Sequence, residues 1–115
     1  MTERPQNVTA MTGVTVTFVC GTSDLEAPNW SFKPVGAVDY DRIVVSGTLA
    51  HSFSGKVDVK ENGVSKLIVF NVTSPNSGEY MCKDEFGFGP DSASAQLIIV
   101  GTCYVELPVL FTSII

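Results

Sequence analysis

The sequence predicts an all-β domain on three observations. Short runs of residues alternate between apolar and polar, which is the period of a half-buried β-strand. Clusters of Gly, Pro, Asn, Ser and Asp separate these runs and are typical of turns. Periodicity alone fits either a two-sheet sandwich or a small barrel. Two cysteines, Cys20 and Cys82, end the apolar sides of two distant runs, and a bridge between two sheets is the economical interpretation of that placement.

The predicted strands follow one another along most of the chain. In the clearest, Val14 to Cys20, the even-numbered positions are all apolar and most odd-numbered positions are Thr. One side of this strand is therefore expected to pack on a core while the other meets water. Asn62-Gly63 predicts a tight hairpin, because both residue types tolerate positive φ. Six further runs read as strands: Trp30 to Lys33, Arg42 to Ser46, Lys56 to Lys60, Val64 to Val72, Gly78 to Lys83 and Ala93 to Val100.

Length and composition predict one domain. The chain has 115 residues, of which 44% are hydrophobic and 17% charged, so it is expected to fold around one core. We expect residues 1–100 to form that domain and residues 101–115 to be an apolar tail or the start of a following module. Two alternatives remain for the tail. It is a segment ahead of a membrane span, or it is an element docked on this domain or on a second copy. The N-terminus lacks the apolar region of a secretory signal, so if the protein is extracellular we expect the chain to be a mature or excised piece of a longer precursor.

The charge distribution disfavours two classes of partner. Seven Lys and Arg stand against twelve Asp and Glu, a formal net charge of −5, and no basic stretch is present. Nucleic acid and anionic membrane surfaces therefore lack their electrostatic source. Apolar runs such as Leu97 to Val100 are too short to cross a bilayer. Contact with a membrane is expected only through a parent protein.

Cysteine usage points to an oxidising compartment. A bridge between Cys20 and Cys82 would close a long loop and contribute about 4 kcal/mol on the chain-entropy model. Such bonds persist in secreted and extracellular proteins. Two reduced, buried thiols are the alternative. Cys103 is unpaired by count, which leaves an interchain disulfide or a partner in another domain open.

The pattern of Cys20, Trp30 and the run Leu67 to Cys82 resembles the immunoglobulin superfamily, in which a Trp on strand C packs on the disulfide joining strands B and F. Tyr80, two residues before Cys82, resembles the tyrosine corner, whose hydroxyl bonds to the backbone ahead of strand F. The resemblance covers roughly Pro5 to Val100. It implies an immunoglobulin-like two-sheet antiparallel β-sandwich with Greek-key connections and an inter-sheet disulfide. Within the superfamily, the chain resembles domains of the intermediate and variable sets, as in the ectodomains of cell-adhesion molecules and receptor tyrosine kinases.

The chain departs from the family pattern at one position and has room for two further strands. Asn76 stands where the family usually has Asp, whose basic partner on strand D is matched here by Lys56. We expect at best a hydrogen bond between them. The stretch from Trp30 to Lys56 leaves room for a C′ strand and a C″ strand.

The alternation of the predicted strands also defines the expected core. Trp30, Tyr80 and Leu67 are its principal members, and a large buried apolar residue typically contributes 1.5–3 kcal/mol relative to exposure. The full inward set comprises Val16, Phe18, Cys20, Trp30, Phe32, Val57, Val59, Leu67, Val69, Val72, Tyr80, Cys82, Leu97 and Ile99.

No convincing catalytic or metal site is found, so we expect a non-enzymatic domain without a cofactor. His51, Ser52 and Asp58 could be combined into a triad on paper, but no oxyanion motif accompanies them. Cys103 has no basic neighbour to activate its thiol. The scattered Cys and His residues do not match a zinc site. Asp84, Glu85 and Asp91 are interpreted as a solvated acidic loop because the spacing of calcium loops is absent.

Three N-x-S/T sequons mark potential glycosylation sites. Asn7 is expected to lie in an exposed N-terminal strand, and Asn71 is expected to point outward at the end of strand E. Asn29 precedes the core Trp30 and is the weakest candidate. Accidental sequons in a Thr-rich β-protein are the alternative.

Without catalytic groups, recognition of a partner is the expected function, and the G-F-C-C′ sheet is the usual contact face in the resembled family. Tyr, Arg and Met are enriched at interface centres, and solvated strand surface is the alternative. Exposed aromatics at the tip of the F–G hairpin would be additional anchors. The predicted partner-binding residues are Lys33, Tyr40, Arg42, Met81, Phe86 and Phe88.

The sequence therefore predicts an extracellular module of a cell-surface receptor or adhesion protein that binds another protein, either a second copy of itself or a different partner. An immune-type module that binds a microbial or glycan ligand is the first alternative. A structural spacer in a rod of repeated domains is the second.

Overall fold

The computed structural model describes residues 2–22, 28–45, 48–50, 53–59, 63–84 and 91–101, and for Val45 and Val59 it describes the main chain. Phe86, Phe88, His51, Cys103 and the tail from residue 102 onward lie outside these described residues. The predicted boundary near residue 100 therefore stays a prediction. The described part of the chain contains no helix with the length and apolar character needed to cross a membrane.

Nine strands and one short 3-10 turn account for the regular structure of the described residues. The turn spans Ser74–Asn76. The strands are β1 (Val8–Met11), β2 (Val16–Gly21), β3 (Asn29–Pro34), β4 (Asp41–Val45), β5 (Thr48–Leu49), β6 (Gly55–Val59), β7 (Val64–Val69), β8 (Gly78–Asp84) and β9 (Asp91–Val100). Strands β2 to β9 correspond in order to strands B, C, C′, C″, D, E, F and G of the resembled family.

These strands form two separate sheets, one with the order β1-β9-β8-β3-β4-β5 and the other with the order β2-β7-β6. Neighbouring strands pair antiparallel, with one exception: β1 runs parallel to β9, from Val8 opposite Leu97 to Met11 opposite Val100. The chain passes between the sheets after β1, β2, β5 and β7, so strands that are consecutive in sequence repeatedly lie in different layers. The two-sheet sandwich with Greek-key connections is confirmed over the barrel.

Two local predictions about the strand connections are also confirmed. Strands β6 and β7 form an antiparallel hairpin in which Val59 lies opposite Ser65. Gly63 has a φ of 81°, which a residue with a side chain rarely adopts. The stretch after Trp30 forms both β4 and the two-residue β5, which are the predicted C′ and C″ strands.

The core lies between the sheets and contains most of the predicted residues. Trp30, Tyr80 and Leu67 are fully buried. Val57 and Ile99 are half-buried and pack against this core, so both face inward as expected without being fully buried. Val57 lies on the edge strand β6, which has one neighbour in its sheet.

Two core residues on β4 escaped the sequence prediction. Trp30 lies opposite Val44 and the next residue, Ser31, lies opposite Arg42, so Ile43 is an extra residue on β4. Such a β-bulge interrupts the strict alternation of side chains. Ile43 and Val44 are consequently both buried, with 6% and 0% of their surface exposed.

The core is organised around the ring of Tyr80, which joins the two sheets. Its ring centroid lies 4.5 Å from that of Phe32 and 4.9 Å from that of Phe18, both in stacked orientation. The disulfide between Cys20 and Cys82 bridges β2 and β8 beside these rings, with the two Cα atoms 6.4 Å apart. The expected inter-sheet disulfide is therefore present in the structure.

The buried polar groups of this core are hydrogen-bonded. Trp30 Nε1 donates to Ser65 Oγ at 2.9 Å across the two sheets. Tyr80 Oη donates to the carbonyl oxygen of Asn76 at 2.7 Å, which is the geometry implied by the tyrosine corner. Each bond satisfies a donor that would otherwise be buried without a partner, a loss that typically costs 1–3 kcal/mol.

The segment between β7 and β8 corrects the expectation for Asn76. Its side-chain oxygen accepts a hydrogen bond from the backbone N–H of Thr73 at 2.8 Å and so stabilises the 3-10 turn. Lys56 is exposed on β6, and no hydrogen bond between it and Asn76 occurs in the described part of the chain. A neutral carboxamide lacks the charge that would attract the lysine, and a local backbone donor takes the oxygen instead.

Candidate protein-binding face

The outward side of the six-stranded sheet carries the candidate site, and we call it the six-stranded face. Alternation along β8 directs Glu79, Met81 and Lys83 outward while Tyr80 and Cys82 face the core. Neighbouring strands continue the same rows of side chains, since Ser31 lies opposite Met81 and Met81 lies opposite Ser94. The face is therefore built from residues far apart in sequence.

A polar cluster occupies the middle of this face. Lys33 on β3 lies opposite Glu79 on β8, and Lys33 Nζ is 3.8 Å from Glu79 Oε1. The same ammonium lies 5.2 Å from the ring centroid of Tyr40, within the range of a cation–π interaction. Tyr40 and Ser94 both hydrogen-bond the Glu79 carboxylate. One acidic group thus ties β3, β8, β9 and the turn before β4 together.

Contacts within this cluster shift the pKa values of Tyr40 and Glu79 in opposite directions. Burial, followed by the hydrogen bond to the negative Glu79, raises the pKa of Tyr40 to about 12. The hydrogen bond from Tyr40 and that from Ser94, with the nearby Lys33 charge, lower the pKa of Glu79. Both shifts favour a neutral phenol bonded to an ionised carboxylate, so the cluster stays in one protonation state across the neutral range.

An apolar patch lies at one end of the same face, and we call it the apolar end. It consists of Met11 on β1 with Ile98 and Val100 on β9, which are 41%, 54% and 42% exposed. The parallel pairing of β1 and β9 places Met11 directly opposite Val100, so their side chains share one side of the sheet. Exposed apolar residues grouped in this way are typical of interaction surfaces.

A shallow hollow of about 330 Å³ lies between the β3–β4 turn and strands β8 and β9. Its walls come from Lys33 to Ala37 on one side and from Gly78, Glu79 and Gln96 on the other. Val35 and Val38 in this turn are 77% and 88% exposed. The hollow is therefore bordered by Lys33 and Glu79 of the polar cluster.

The structure brings four of the six predicted partner-binding residues onto this face. Lys33, Tyr40 and Met81 are half-buried there, and Arg42 is exposed on β4 opposite Ser31. Phe86 and Phe88 lie outside the described residues. The binding role of all six stays a prediction.

Sequence reasoning missed Glu79 and the apolar end. Glu79 has the same parity as Met81 on β8, so alternation alone could have placed it on the face. Met11 offered no such signal, because its position depends on a pairing with Val100 that no local pattern encodes.

The predicted glycosylation sites differ in accessibility. Asn7 is exposed, and its side-chain oxygen accepts a hydrogen bond from the backbone N–H of Gln96 at 2.8 Å. Asn71 is exposed after β7 with a φ of 48°, in the left-handed region that Asn tolerates well. Asn29 is 7% exposed, in keeping with its rank as the weakest candidate. Glycosylation itself stays a prediction.

Only some of the residues considered for catalysis and metal binding fall within the described ranges. Asp58 is half-buried on the outward side of β6, while His51, Ser52, Glu85 and Cys103 lie outside the described residues. Asp84 is 5% exposed on β8 opposite Asp91, so its interpretation as part of a solvated loop was wrong. Within the described ranges, no group of three or more His, Cys, Asp or Glu side chains could hold a metal ion.

No protein-family model and no curated protein sequence matches the chain. Solved structures do match it. Chimeric titin Z1Z2 carrying an exogenous decorin peptide is 26% identical, with 88% of this chain and 92% of that chain covered and a TM-score of 0.62. Dpr1 IG1 bound to DIP-eta IG1 is 16% identical over 86% of this chain and 92% of that chain, with a TM-score of 0.70. The complex of titin M10 with an obscurin-like 1 Ig domain is 16% identical over 90% and 94%, with a TM-score of 0.66.

The matched structures are immunoglobulin domains, and the likenesses at 16% identity show the fold alone. The two-sheet strand order described above agrees with that fold. The chain is an immunoglobulin superfamily domain.

Proposed function

We propose that this domain is an extracellular protein-binding module of a cell-surface receptor or adhesion protein, and that it binds through the six-stranded face. The apolar end carries this proposal. Three large apolar side chains are grouped in solvent on a sheet whose other face is the core, and burial of such area drives most protein association.

The polar cluster beside the apolar end supports the same face. Lys33, Glu79 and Tyr40 hold one another in place before any partner arrives. A partner would therefore lose little side-chain entropy when it orders these groups. Tyr and Met, which the face also presents, are among the residue types enriched at interface centres.

A second immunoglobulin-type domain is the partner class we propose first. The matched structures include Dpr1 IG1 bound to DIP-eta IG1 and titin M10 bound to an obscurin-like 1 Ig domain. In this chain, Lys33 and Glu79 lie side by side with opposite charge. A second copy related by a two-fold axis over this pair would bring each charge against its opposite, because isologous contacts repeat the same patch.

The extracellular location rests on the disulfide and the sequons. A bridge between Cys20 and Cys82 is typical of oxidising compartments. Asn7 and Asn71 are both exposed in sequons that the secretory pathway can modify. Expression through the secretory route, followed by mass measurement before and after glycan removal, tests this part of the proposal.

The binding face is tested by sedimentation velocity of the pure chain over a range of concentrations. We expect the wild-type chain to associate reversibly and Ile98→Asp to remain monomeric. Ile68→Asp is the matched control, because Ile68 is a half-buried outward residue of the other sheet. Association that survives Ile98→Asp would contradict the proposed face.

A strictly monomeric wild-type chain would contradict the second copy as partner. The face itself would then be tested by staining cell panels with a tetrameric form of the domain. Staining that is lost with Ile98→Asp and retained with Ile68→Asp would support a different surface protein as partner. Equal staining by both variants would contradict the face.

A further inference from the structure

The edge of β2 is less protected than the other sheet edges. Unpaired edge strands can recruit foreign strands, and proteins usually blunt them with charges, Pro or shortness. Strand β5 has two residues and β1 has four, while β6 carries Lys56 and Asp58 along its length. By contrast, residues 14–19, which lead into β2 and form its first four positions, include no charged residue and no Pro, and Val alternates with Thr from Val14 to Thr17.

Pairing along this edge stops early. The backbone of Glu3 exchanges hydrogen bonds with Gly21 at the far end of β2, with Gly21 N donating to Glu3 O at 2.9 Å. Pro5 follows two residues later and has no N–H to continue a ladder. The chain then crosses to the other sheet, where Val8 pairs with Leu97.

The phase of β2 shows which peptide groups are left at the edge. Gly21 uses its N–H and C=O toward Glu3, and Val14 O accepts from Val72 N on the opposite side, next to β7. Successive peptide groups of a strand point to alternate sides. The N–H and C=O of Thr15 and Thr17 therefore point away from β7, and among the described residues no hydrogen bond to them is found.

These groups face an open groove between β1 and β2. The groove has a volume of about 460 Å³ and is lined by residues 8–11 and 14–17, none of which is charged. Val8 and Ala10 are half-buried against the core and Val16 is 4% exposed, so the floor of the groove is apolar. Backbone donors and acceptors thus stand along one wall above a hydrophobic base.

We propose that this groove binds an extended, uncharged segment of a partner protein by strand addition to β2. The peptide groups at Thr15 and Thr17 would pair with the added strand, and its alternate apolar side chains would cover Val8, Ala10 and Val16. Main-chain pairing with pockets for alternate side chains is a general mode of peptide recognition. A charged segment is disfavoured because the uncharged groove would desolvate its charge without compensation.

The groove shares Met11 with the apolar end of the six-stranded face, but this inference rests on the peptide groups of Thr15 and Thr17, so the two proposals are tested by different residues. Its test is amide hydrogen exchange by NMR on the full chain, with and without a blocked heptapeptide of alternating valine and threonine as probe. In the free chain, the Thr15 and Thr17 amides should exchange quickly, while those of Val16 and Phe18, which face β7, exchange slowly. Saturating probe should slow exchange at Thr15 and Thr17 by about tenfold or more.

Two control peptides identify main-chain pairing. Each carries N-methyl groups on one of the two sets of alternate residues, which removes one row of donors and leaves the side chains in place. One of the two peptides should no longer protect the Thr15 and Thr17 amides from exchange, and the other should still protect them. Protection by both, or by neither, would overturn strand addition.

Two variants of the exposed Val14 locate the probe. Val14→Asp places a charge in the groove and should lower the affinity for the probe by about tenfold. Val14→Thr keeps the shape of the side chain and should leave that affinity unchanged. Equal binding to both variants would overturn the site. Slow exchange of the Thr15 and Thr17 amides without probe would also overturn the proposal, because the groove would then already be filled. If that protection depends on protein concentration, a second copy fills the groove. If it does not, a segment of the same chain fills it.

Discussion

The two outer faces of the sandwich differ in how they use their charged residues. On the outward side of the three-stranded sheet, the three-stranded face, Val19, Lys66 and Asp58 lie in one row and Thr17, Ile68 and Lys56 in the next. Charged and apolar side chains alternate there, and none of the large apolar side chains that the structure describes on β2, β6 and β7 is strongly exposed. On the six-stranded face, the charges of Lys33 and Glu79 meet each other, and the exposed apolar residues are collected at one end.

This difference shows how a sandwich can separate solubility from recognition. Long cationic side chains cover apolar surface with their methylene stems while their charge stays in water. On the three-stranded face, Lys66 and Lys56 are placed to do this for Val19 and Ile68. On the six-stranded face, Lys33 is held over Tyr40 and beside Glu79, and Ile98 and Val100 on β9 stay exposed.

The largest effect is expected from removing the core that both faces share. Trp30→Ala should lower the free energy of unfolding by about 3–5 kcal/mol, because it leaves a cavity beside the disulfide and deprives Ser65 of its hydrogen bond. Denaturant unfolding measures this loss, and Trp30→Phe, which keeps most of the apolar volume, should lose less. An unchanged midpoint for Trp30→Ala would show that the indole does not support the sandwich.

Polar substitutions at the apolar end test whether the difference between the two faces matters for partner binding. Met11→Ser combined with Val100→Ser should weaken partner binding by about tenfold, or 1.4 kcal/mol, because both residues present apolar area to solvent. Val19→Ser combined with Ile68→Ser changes the three-stranded face to the same degree. Sedimentation equilibrium should show loss of affinity in the first pair alone, and equal losses would mean that the two faces do not differ in function.

A smaller effect is expected where β7 ends, and it should change stability without changing binding. Asn71 has a φ of 48°, and Asn71→Ala should lower the free energy of unfolding by about 1 kcal/mol because alanine tolerates this conformation less well. Asn71→Gly accepts the conformation and should cost less. Thermal unfolding compares the two, and the opposite order would contradict the strain argument.

The contacts within the polar cluster are tested by titrating Tyr40. Burial and Glu79 raise its pKa to about 12, so Glu79→Gln should lower that pKa while leaving it above 10, since burial is the larger cause. Tyrosinate absorbance against pH measures the change, with Tyr40→Phe identifying the Tyr40 signal. A Tyr40 pKa near 10 in the wild-type chain would contradict the packed cluster.

The same cluster predicts a small dependence of stability on acid pH. Because its hydrogen bonds lower the pKa of Glu79 in the folded chain, the ionised carboxylate stabilises the fold above its ordinary pKa of 4.5. That contribution is lost as pH falls below 4.5 and through the lowered folded value. Unfolding measured at several pH values should therefore show the wild-type chain converging on Glu79→Gln in acid, and a constant difference would contradict the shift.

Local chemistry alone determined the framework of this protein. Alternation along β2, β7 and β8 was sufficient to predict the inward positions of Phe18, Leu67 and Tyr80, because a strand of period two has only two sides. The spacing of Cys20, Trp30 and Cys82 was specific enough to imply the disulfide and the superfamily. Of the candidate site, Lys33 and Met81 followed from the same alternation.

Tertiary structure decided the rest, because it depends on pairings between distant segments. The extra residue Ile43 on β4 broke the alternation and added two members to the core. The parallel pairing of β1 with β9 brought Met11 beside Val100, and the crossing after Glu3 left the edge of β2 open. A one-residue shift in any of these registers would turn the same side chains to the other side of the sheet, and no local sequence pattern specifies that register.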